Sequence, residues 1–250
     1  MHRLLRAGFR LLTTKPWFLD RSRRLNHLYD KCTLRIMQRV LTASSNAVDV
    51  GCHTGQILRR MMELAPQGRH FAFEPIPSLA QALRERFPGV SLHEIALSDS
   101  PGVATFQHVL SRPAYSGLRK RNYPRENETV LTIEVRTAPL DDLLPPDVPI
   151  HLLKVDVEGG ELGVFRGAAR TIAEYKPYII FEHGLGAAEF YGTRPESVYD
   201  LLVGKCGLRI SLLPDWLQDR PPLSREDFIR HFDQRLNFYF LAHPERSSYT

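Results

Sequence analysis

The sequence lacks several features that define other classes of protein. Only three of its 250 residues are cysteines, and Cys32, Cys52 and Cys206 form neither a C-x-x-C pair nor a metal-ligand spacing. This odd number favours a reducing compartment, so we expect a cytoplasmic protein. No segment approaches the roughly 18–20 consecutive apolar residues of a membrane-spanning helix, and we therefore do not expect an integral membrane protein.

Low-complexity tracts, internal repeats and linker-like stretches are also absent. With 43% apolar and 24% charged residues, the composition is typical of a folded globular protein. The net charge of +5 arises in the first 40 residues, which carry ten lysines and arginines against two aspartates. A nucleic-acid-binding domain normally carries its basic excess on the fold itself, so we expect no nucleic-acid partner.

The basic N-terminal segment has the pattern of an amphipathic helix. Over residues 3–12, the leucines and Phe9 fall on one half of a helical wheel, and the arginines fall on the other. Such a helix can dock on the domain or on a second subunit, contact an anionic membrane surface, or direct import into an organelle. We expect a basic helical arm over residues 1–40 and one domain over residues 41–250, and we leave open homo-oligomer formation or peripheral membrane contact through the arm.

The rest of the chain alternates between strand-like and helix-like segments. This alternation indicates βαβ units and a mainly parallel sheet, which defines an α/β fold. Segments 103–109 and 130–137 alternate polar and apolar residues and suggest an antiparallel pair around a basic loop. The predicted strands are 47–51, 70–74, 90–97, 150–157, 178–182, 208–213 and 237–241, and the predicted helices are 31–42, 56–64, 78–87, 161–175 and 194–206.

The segment VDVGCHTGQ, residues 48–56, ends a predicted strand in a glycine loop that leads into a helix. Gly51 and Gly55 supply positions without a Cβ, where the chain bends or a ligand comes close. Asp49, at the strand end, is placed to accept hydrogen bonds from a cationic ligand group. The spacing matches neither G-x-x-x-x-G-K-[ST] nor G-x-G-x-x-G, which disfavours a nucleoside triphosphate or a dinucleotide.

Glu74 ends the next predicted strand, 19 residues after Gly55. An acidic residue about 20 residues beyond a glycine loop is where a ribose diol finds its hydrogen-bond acceptor. Together, the loop and the acid predict a nucleoside-containing cofactor at the carboxyl ends of the strands. A solvated carboxylate at a strand end is the alternative.

A third cluster, KVDVEGGE at residues 154–161, ends another predicted strand. Strand alternation sends Lys154, Asp156 and Glu158 to one side, and charges at the end of a core strand are unfavourable unless they are paired or functional. Glu182 and His183 end the neighbouring predicted strand, so up to three carboxylates and an imidazole could converge here.

In this order, the three segments resemble the FkbM family of S-adenosylmethionine-dependent methyltransferases. The most specific match is KVDVEGGEL followed by VFRGA, residues 154–162 and 164–168, and residues 48–55, 73–75 and 96–99 also fit. The resemblance implies a Rossmann-like class I methyltransferase fold, with a seven-stranded, mainly parallel sheet, an antiparallel last strand and helices on both faces. The cofactor it implies is S-adenosyl-L-methionine, bound by Asp49, Gly51, Cys52, His53, Gly55, Glu74 and Ala96. One departure is Cys52-His53, where the family usually has Ala-Asn.

The family reaction is transfer of a methyl group, usually to a hydroxyl oxygen. We therefore expect a small-molecule acceptor such as a sugar or a secondary metabolite. A hydroxyl acceptor benefits from a general base, and the candidates are Asp156, Glu158 and His183. No ligand spacing supports a metal site. The basic loop 111–128 is either a lid over the acceptor or a solvated loop. A nicotinamide-dependent oxidoreductase and a non-catalytic adapter are the alternative functions.

Overall fold

Strands and helices follow one another along the chain largely as the alternating pattern predicts. A computed structural model describes residues 17–123 and 128–245, with side chains from residue 24 onward. The strands are β1 Ala47–Val50, β2 His70–Phe73, β3 Ser91–His93, β4 Ala96–Leu97, β5 Gly102–Val109, β6 Val130–Ala138, β7 Leu152–Val155, β8 Tyr178–Glu182, β9 Arg209–Leu212 and β10 Tyr239–His243. The α-helices are α1 Trp17–Val40, α2 Gln56–Leu64, α3 Pro77–Arg86, α4 Glu161–Gly167, α5 Ala169–Tyr175, α6 Pro195–Tyr199, α7 Leu213–Leu217 and α8 Arg225–Asp233.

Seven of these strands form one sheet in the order β3-β2-β1-β7-β8-β10-β9. β3, β2, β1, β7 and β8 pair in parallel, whereas β10 is antiparallel to both β8 and β9. Because β10 comes last along the chain, the predicted α/β architecture with an antiparallel last strand is confirmed. β1, β2 and β7 are buried along their whole length, as expected of parallel strands that are covered on both faces.

The register of the sheet aligns the carboxyl ends of its central strands. Val50 pairs with Phe73 on β2 and with Val155 on β7, and Val155 in turn pairs with Phe181 on β8. The residues that follow these four therefore fall on one line along the edge of the sheet. This line, called the edge row below, consists of Gly51, Glu74, Asp156, Glu182 and, opposite Glu182 on β10, Tyr239.

Helices cover both faces of the sheet. The side chains of each strand point alternately to the two faces, and on each face they pack with the helices in an apolar core. Leu153 of β7 packs in the core that contains Phe165 of α4 and Phe228 of α8. Its neighbour Leu152 packs in the opposite core, with Met37 of α1 and Met61 of α2. The predicted arrangement of helices on both faces is confirmed.

Helix α1 is longer than the predicted helix over residues 31–42 and contributes to the domain core. Tyr29, Cys32, Ile36 and Met37 are buried against the sheet and against α2 and α7. From residue 24 onward, the expected N-terminal arm therefore docks on the domain, whereas the amphipathic pattern over residues 3–12 lies outside the described residues. None of the helices in the described ranges is both long and apolar enough to span a membrane.

The predicted single strand over residues 90–97 is wrong, because this segment forms two strands in two sheets. β3 pairs with β2 as far as His93 opposite Phe73, and the Glu74 N–H then donates to the His93 carbonyl oxygen at 3.1 Å. The next residue is Pro75, which has no N–H to extend the ladder. After His93 the chain turns into β4, which pairs with β6 in a three-stranded sheet of order β4-β6-β5.

Two predicted helices also differ from the structure, and the predicted antiparallel pair does not. The predicted helix over 161–175 breaks at Ala168, whose φ of −115° and ψ of 12° leave the helical range, and gives α4 and α5. The predicted helix over 194–206 is α-helical only to Tyr199 and continues as a π-helix, Asp200–Lys205. The predicted antiparallel pair is confirmed as β5 and β6, which pair along their whole length.

Candidate active site

The main cavity lies at the carboxyl ends of β1, β2 and β7, between the two sheets. Its empty volume is about 590 Å³, including the part open to solvent. Gly51, Glu74 and Asp156 of the edge row line it, together with Val157 and Glu158. A mostly apolar wall faces them, made of Ile76, Ile95, Ala96, Leu97, Phe106 and Leu118. The carboxyl edge of an open α/β sheet is where such folds bind their ligands.

The glycine loop brings β1 close to the end of β7. Gly51 has a φ of +76°, and its N–H donates to the Phe73 carbonyl oxygen at 2.9 Å. A Cβ built on Gly51 would overlap the carbonyl oxygen of Asp156, so this position requires glycine for both its backbone angle and its space. Gly55, with a φ of +74°, precedes α2 and packs against Leu83 and Phe87. Gly55 therefore shapes the loop from behind the cavity wall.

Glu74 joins the glycine loop to the loop after β2. Its Oε2 accepts from the His53 N–H at 2.8 Å, and its Oε1 accepts from the Ile76 N–H at 3.0 Å. The side chain is only 4% exposed, and this burial raises the pKa of Glu74 to about 7 although the two amides oppose the shift. Each oxygen retains lone pairs that can accept from a hydroxyl in the cavity.

The other residues predicted to bind the cofactor divide into two groups. His53 and Ala96 line the cavity, whereas Asp49 and Cys52 lie behind its wall. Cys52 packs in an apolar cluster with Leu58 and Leu83, and burial raises the pKa of its thiol. Asp49 is 2% exposed, and burial raises its pKa to about 6 even though Lys154 opposes the shift.

Asp156 is held in place by two side chains of the sheet. Its Oδ2 accepts from the Lys154 ammonium at 3.0 Å and from the Tyr239 hydroxyl at 2.5 Å. Burial alone would raise the pKa of Asp156, but Lys154 and Tyr239 together hold it below its ordinary value. The Lys154 ammonium also lies 5.1 Å from the centre of the Tyr239 ring. Asp156 is therefore an ionised hydrogen-bond acceptor at neutral pH.

Glu158 sits in a different environment, although both carboxylates line the same cavity. Its φ of +57° is unusual for a side chain other than glycine, so strand alternation does not extend to this residue. Glu158 forms an ion pair with Arg121, and both side chains are mostly buried. Burial and the nearby charge of Asp156 raise the pKa of Glu158. Arg121 itself packs over the Tyr115 ring, so the segment after β5 reaches the cavity.

His183 does not line the cavity. It is completely buried and stacks on Phe232 with ring centres 4.8 Å apart, and its Nδ1 lies 3.8 Å from Glu161 Oε2. A side chain enclosed in this way has no path to an acceptor in the cavity, so the structure does not bring His183 together with Asp156 and Glu158. Glu182 lies in the edge row, where burial raises its pKa well above the ordinary value.

Acidic groups outnumber basic groups around Asp156. Among the described residues, five carboxyl groups, those of Asp49, Asp156, Glu158, Glu161 and Glu182, interact electrostatically with two cationic side chains, those of Lys154 and Arg121. A ligand that carries positive charge would relieve this imbalance. Within the described ranges, no three His, Cys, Asp or Glu side chains form a group that could hold a metal ion.

Sequence reasoning missed the role of Tyr239. The residue belongs to the segment NFYF, residues 237–240, whose pattern predicts only the last strand. An antiparallel pairing of this strand with β8 would have placed Tyr239 opposite Glu182 and hence close to Asp156. The ion pair of Arg121 with Glu158 had no sequence signal beyond the basic character of the loop.

The fold and the site define a class of protein, and comparisons with known proteins agree with it. The fold is that of Rossmann-like class I methyltransferases. A crystal structure of methyltransferase FkbM from Methylobacillus flagellatus KT is similar with a TM-score of 0.51 at 17% identity, covering 81% of this chain and 44% of that chain. Residues 49–210 match the Methyltransferase FkbM domain. The chain therefore belongs to the FkbM methyltransferase family, and the resemblance seen in its sequence is confirmed.

Two curated relatives match parts of the chain. The 2-O-methyltransferase NoeI of Sinorhizobium fredii is 30% identical over 142 residues, which are 51% of this chain and 58% of NoeI. Methyltransferase sdnD of Sordaria araneosa is 30% identical over 152 residues, which are 48% of this chain and 59% of sdnD. The matches span less than two thirds of either relative.

Proposed function

We propose that the chain is an S-adenosylmethionine-dependent O-methyltransferase that acts on a hydroxyl group of a small, sugar-like molecule. The edge row carries this proposal, because it places Glu74 and Asp156 on one cavity with Gly51 between them. Membership of the FkbM methyltransferase family supports methyl transfer. The similarity to a protein named as a 2-O-methyltransferase supports oxygen as the methylated atom.

The cavity residues fit this cofactor better than a nicotinamide dinucleotide. Glu74 offers carboxylate oxygens to a ribose diol, and the apolar wall at Ile95 and Leu97 suits a purine ring. The surplus of carboxyl groups near Asp156 suits the sulfonium and ammonium charges of S-adenosylmethionine. A dinucleotide would instead bring a negatively charged pyrophosphate toward these carboxylates.

Asp156 is the group that we assign to the acceptor hydroxyl. S-adenosylmethionine supplies a methyl group on a positively charged sulfur, which keeps the bonding electron pair and becomes a neutral thioether. The chain contributes alignment and a site for the released proton. Asp156 accepts the hydrogen bond of the hydroxyl, orients its oxygen and receives the proton as the oxygen is methylated. Glu158 is the second candidate base, but its ion pair with Arg121 has to open first.

The proposal also covers the compartment of the protein and its partners. Cys32, Cys52 and Cys206 are free and buried, which fits a reducing compartment such as the cytoplasm. Contact with a membrane or with a second copy through residues 1–40 stays a prediction, because the first residues of this basic segment lie outside the described part of the chain.

Calorimetric titration tests the cofactor assignment. S-adenosylhomocysteine, the demethylated cofactor, is expected to bind, and NADH is expected not to bind. Transfer of a radiolabelled methyl group from S-adenosylmethionine to a panel of sugars then separates an enzyme from an adapter that only binds. Binding of NADH without binding of S-adenosylhomocysteine would contradict the proposal.

A further inference from the structure

A second, polar pocket also borders Asp156. It is called the α1 pocket below, because Asn26, Tyr29, Asp30 and Thr33 of α1 form one of its walls. The other wall is formed by the end of the sheet, through Lys154, Glu182 and Tyr239, and by the start of α2. Of the described lining residues, Asp156 alone belongs to both the α1 pocket and the main cavity.

The contacts of Asp156 leave one of its oxygens available at this junction. Lys154 and Tyr239 both donate to Oδ2, so they fix the carboxylate from the side of the sheet. Among the described residues, no hydrogen bond or ion pair engages Oδ1, and 29% of the side chain is exposed. A hydroxyl that enters the α1 pocket can therefore donate to Asp156 without displacing an existing partner.

The polar groups of the α1 pocket include both donors and acceptors of hydrogen bonds. Asn26 and Thr33 can donate and accept, Asp30 accepts, and Lys154 donates. Glu182 adds a carboxyl group, whose pKa burial raises well above its ordinary value. A molecule with several hydroxyl groups matches such a mixture, because each hydroxyl both donates and accepts.

Helix α1 is held against the site through the same residues. The Tyr29 hydroxyl donates to Asn237 Oδ1 at 2.9 Å, and the Tyr29 ring stacks on Tyr239 with centres 5.3 Å apart. Tyr239 in turn donates to Asp156. The position of α1, and with it one wall of the pocket, is thus coupled to the carboxylate that we assign to the acceptor.

We propose that the α1 pocket binds the methyl acceptor, and that this acceptor is a polyhydroxylated molecule whose reacting hydroxyl points to Asp156. The inference rests on the proposed function. The amino-acid part of the cofactor has a separate match, because Glu158 lines the main cavity and suits its ammonium group, and Arg121, the ion-pair partner of Glu158, suits its carboxylate. The α1 pocket is therefore left for the acceptor.

Filling the α1 pocket tests this inference. Asn26→Phe places a large side chain at an exposed lining position, and Gln38→Phe makes a comparable change at an exposed position of α1 that does not line this pocket. Binding of D-glucose, D-galactose and myo-inositol is followed by saturation-transfer NMR in the presence of S-adenosylhomocysteine, whose own affinity is measured by calorimetry. At least one of the three polyols is expected to bind the unmodified chain and the Gln38→Phe variant, and to lose its signal with Asn26→Phe.

The affinity for S-adenosylhomocysteine is expected to stay within about twofold in both variants, which corresponds to about 0.4 kcal/mol. A loss of S-adenosylhomocysteine affinity in Asn26→Phe would overturn the inference, because the α1 pocket would then hold the amino-acid part of the cofactor. Failure of all three polyols to bind the unmodified, S-adenosylhomocysteine-loaded chain would also overturn it. Failure of S-adenosylhomocysteine to bind the unmodified chain would instead contradict the proposed function itself.

Discussion

The two ends of the main cavity are held in place by different kinds of contact. At the ribose end, Glu74 is fixed by the backbone N–H groups of His53 and Ile76 and faces an apolar wall. At the carboxylate end, Asp156 is fixed by two side chains, and its partner Tyr239 lies 83 residues further along the chain. The ribose end therefore depends mainly on local backbone conformation, whereas the carboxylate end depends on the correct assembly of three strands. Substitutions at the two ends should accordingly fail in different ways.

The largest effect is expected where the two ends meet, at Gly51. Gly51→Ala puts a Cβ into the Asp156 carbonyl oxygen at a φ of +76°, whereas Gly192→Ala meets a similar φ of +66° with open space around it. The backbone strain alone costs roughly 1–2 kcal/mol, and the overlap adds about 1–3 kcal/mol for Gly51→Ala only. Urea denaturation of both variants measures the difference, and calorimetry should show loss of S-adenosylhomocysteine binding for Gly51→Ala. Equal losses of stability in the two variants would show that the backbone shifts to relieve the overlap with Asp156 at little cost in free energy.

Removing the charge at the carboxylate end should affect turnover more than cofactor binding. Asp156→Asn keeps the size of the side chain and a carbonyl oxygen for Tyr239, but its amide is not a proton acceptor. Turnover is expected to fall roughly 10²-fold or more, the usual scale for a general base, and Glu158→Gln should have a similar or smaller effect. Asp99→Asn is the matched control, because Asp99 is exposed and does not line the cavity. Rates are measured with saturating S-adenosylmethionine.

Near-normal turnover in both Asp156→Asn and Glu158→Gln would contradict the assignment of a base at this end of the cavity. A fall in S-adenosylhomocysteine affinity as large as the fall in turnover would point to another conclusion. The charge of Asp156 would then serve the cofactor, and the contrast between the two ends would disappear.

The contrast also explains how much could be predicted from the sequence. The ribose end uses a glycine loop and the acid that ends the next strand, and both lie within one βαβ unit, so spacing alone located Gly51 and Glu74. The seven-stranded, mainly parallel sheet and its antiparallel last strand followed from the family resemblance and are confirmed. Local patterns did not show that the segment after β3 leaves this sheet and pairs with β6 in a second one.

The carboxylate end could be predicted only in part. Alternation along β7 correctly brought Lys154 and Asp156 to one side, but the positive φ of Glu158 ended that regularity. His183 follows Glu182 directly and therefore points to the opposite face, where it packs on Phe232. The contribution of Tyr239 depends on a pairing between distant segments, which one sequence does not reveal.

At the ribose end, the expected effect is a loss of affinity. Glu74→Gln has one carbonyl oxygen where the carboxylate has two acceptors, so the N–H of His53 or of Ile76 loses its partner and a ribose hydroxyl loses a charge-assisted bond. S-adenosylhomocysteine affinity is expected to fall at least about tenfold, with turnover of the saturated enzyme much less affected. Glu94→Gln, which alters an exposed ion pair with Arg84, is the control. Unchanged affinity in Glu74→Gln would remove Glu74 from the cofactor site.

A last expected effect is a pH dependence of stability at the ribose end. The pKa of Glu74 is raised to about 7 from an ordinary value of 4.5, so between these values the folded chain holds a proton that the unfolded chain has released. The contribution of Glu74 to stability therefore falls by up to about 1.4 kcal/mol per pH unit as the pH rises from 4.5 to 7, and it is constant above that range. Glu74→Gln does not titrate and resembles the protonated form.

The free energy of unfolding of the unmodified chain, relative to that of Glu74→Gln, should therefore decrease between pH 5 and pH 7.5. Taking this difference removes the opposite trend of the buried His70 and the partly buried His93, whose pKa values are lowered by burial in both proteins. The same difference taken relative to Asp156→Asn should show the reverse trend at lower pH. Lys154 and Tyr239 lower the pKa of Asp156 in the folded protein, so its ionised form loses its contribution to stability only as the pH falls toward and below 4. Denaturation curves of the three proteins from pH 3.5 to 7.5 measure both trends. A difference between the unmodified chain and Glu74→Gln that does not change with pH would mean that Glu74 stays ionised in the folded protein, and that its two backbone amides outweigh its burial.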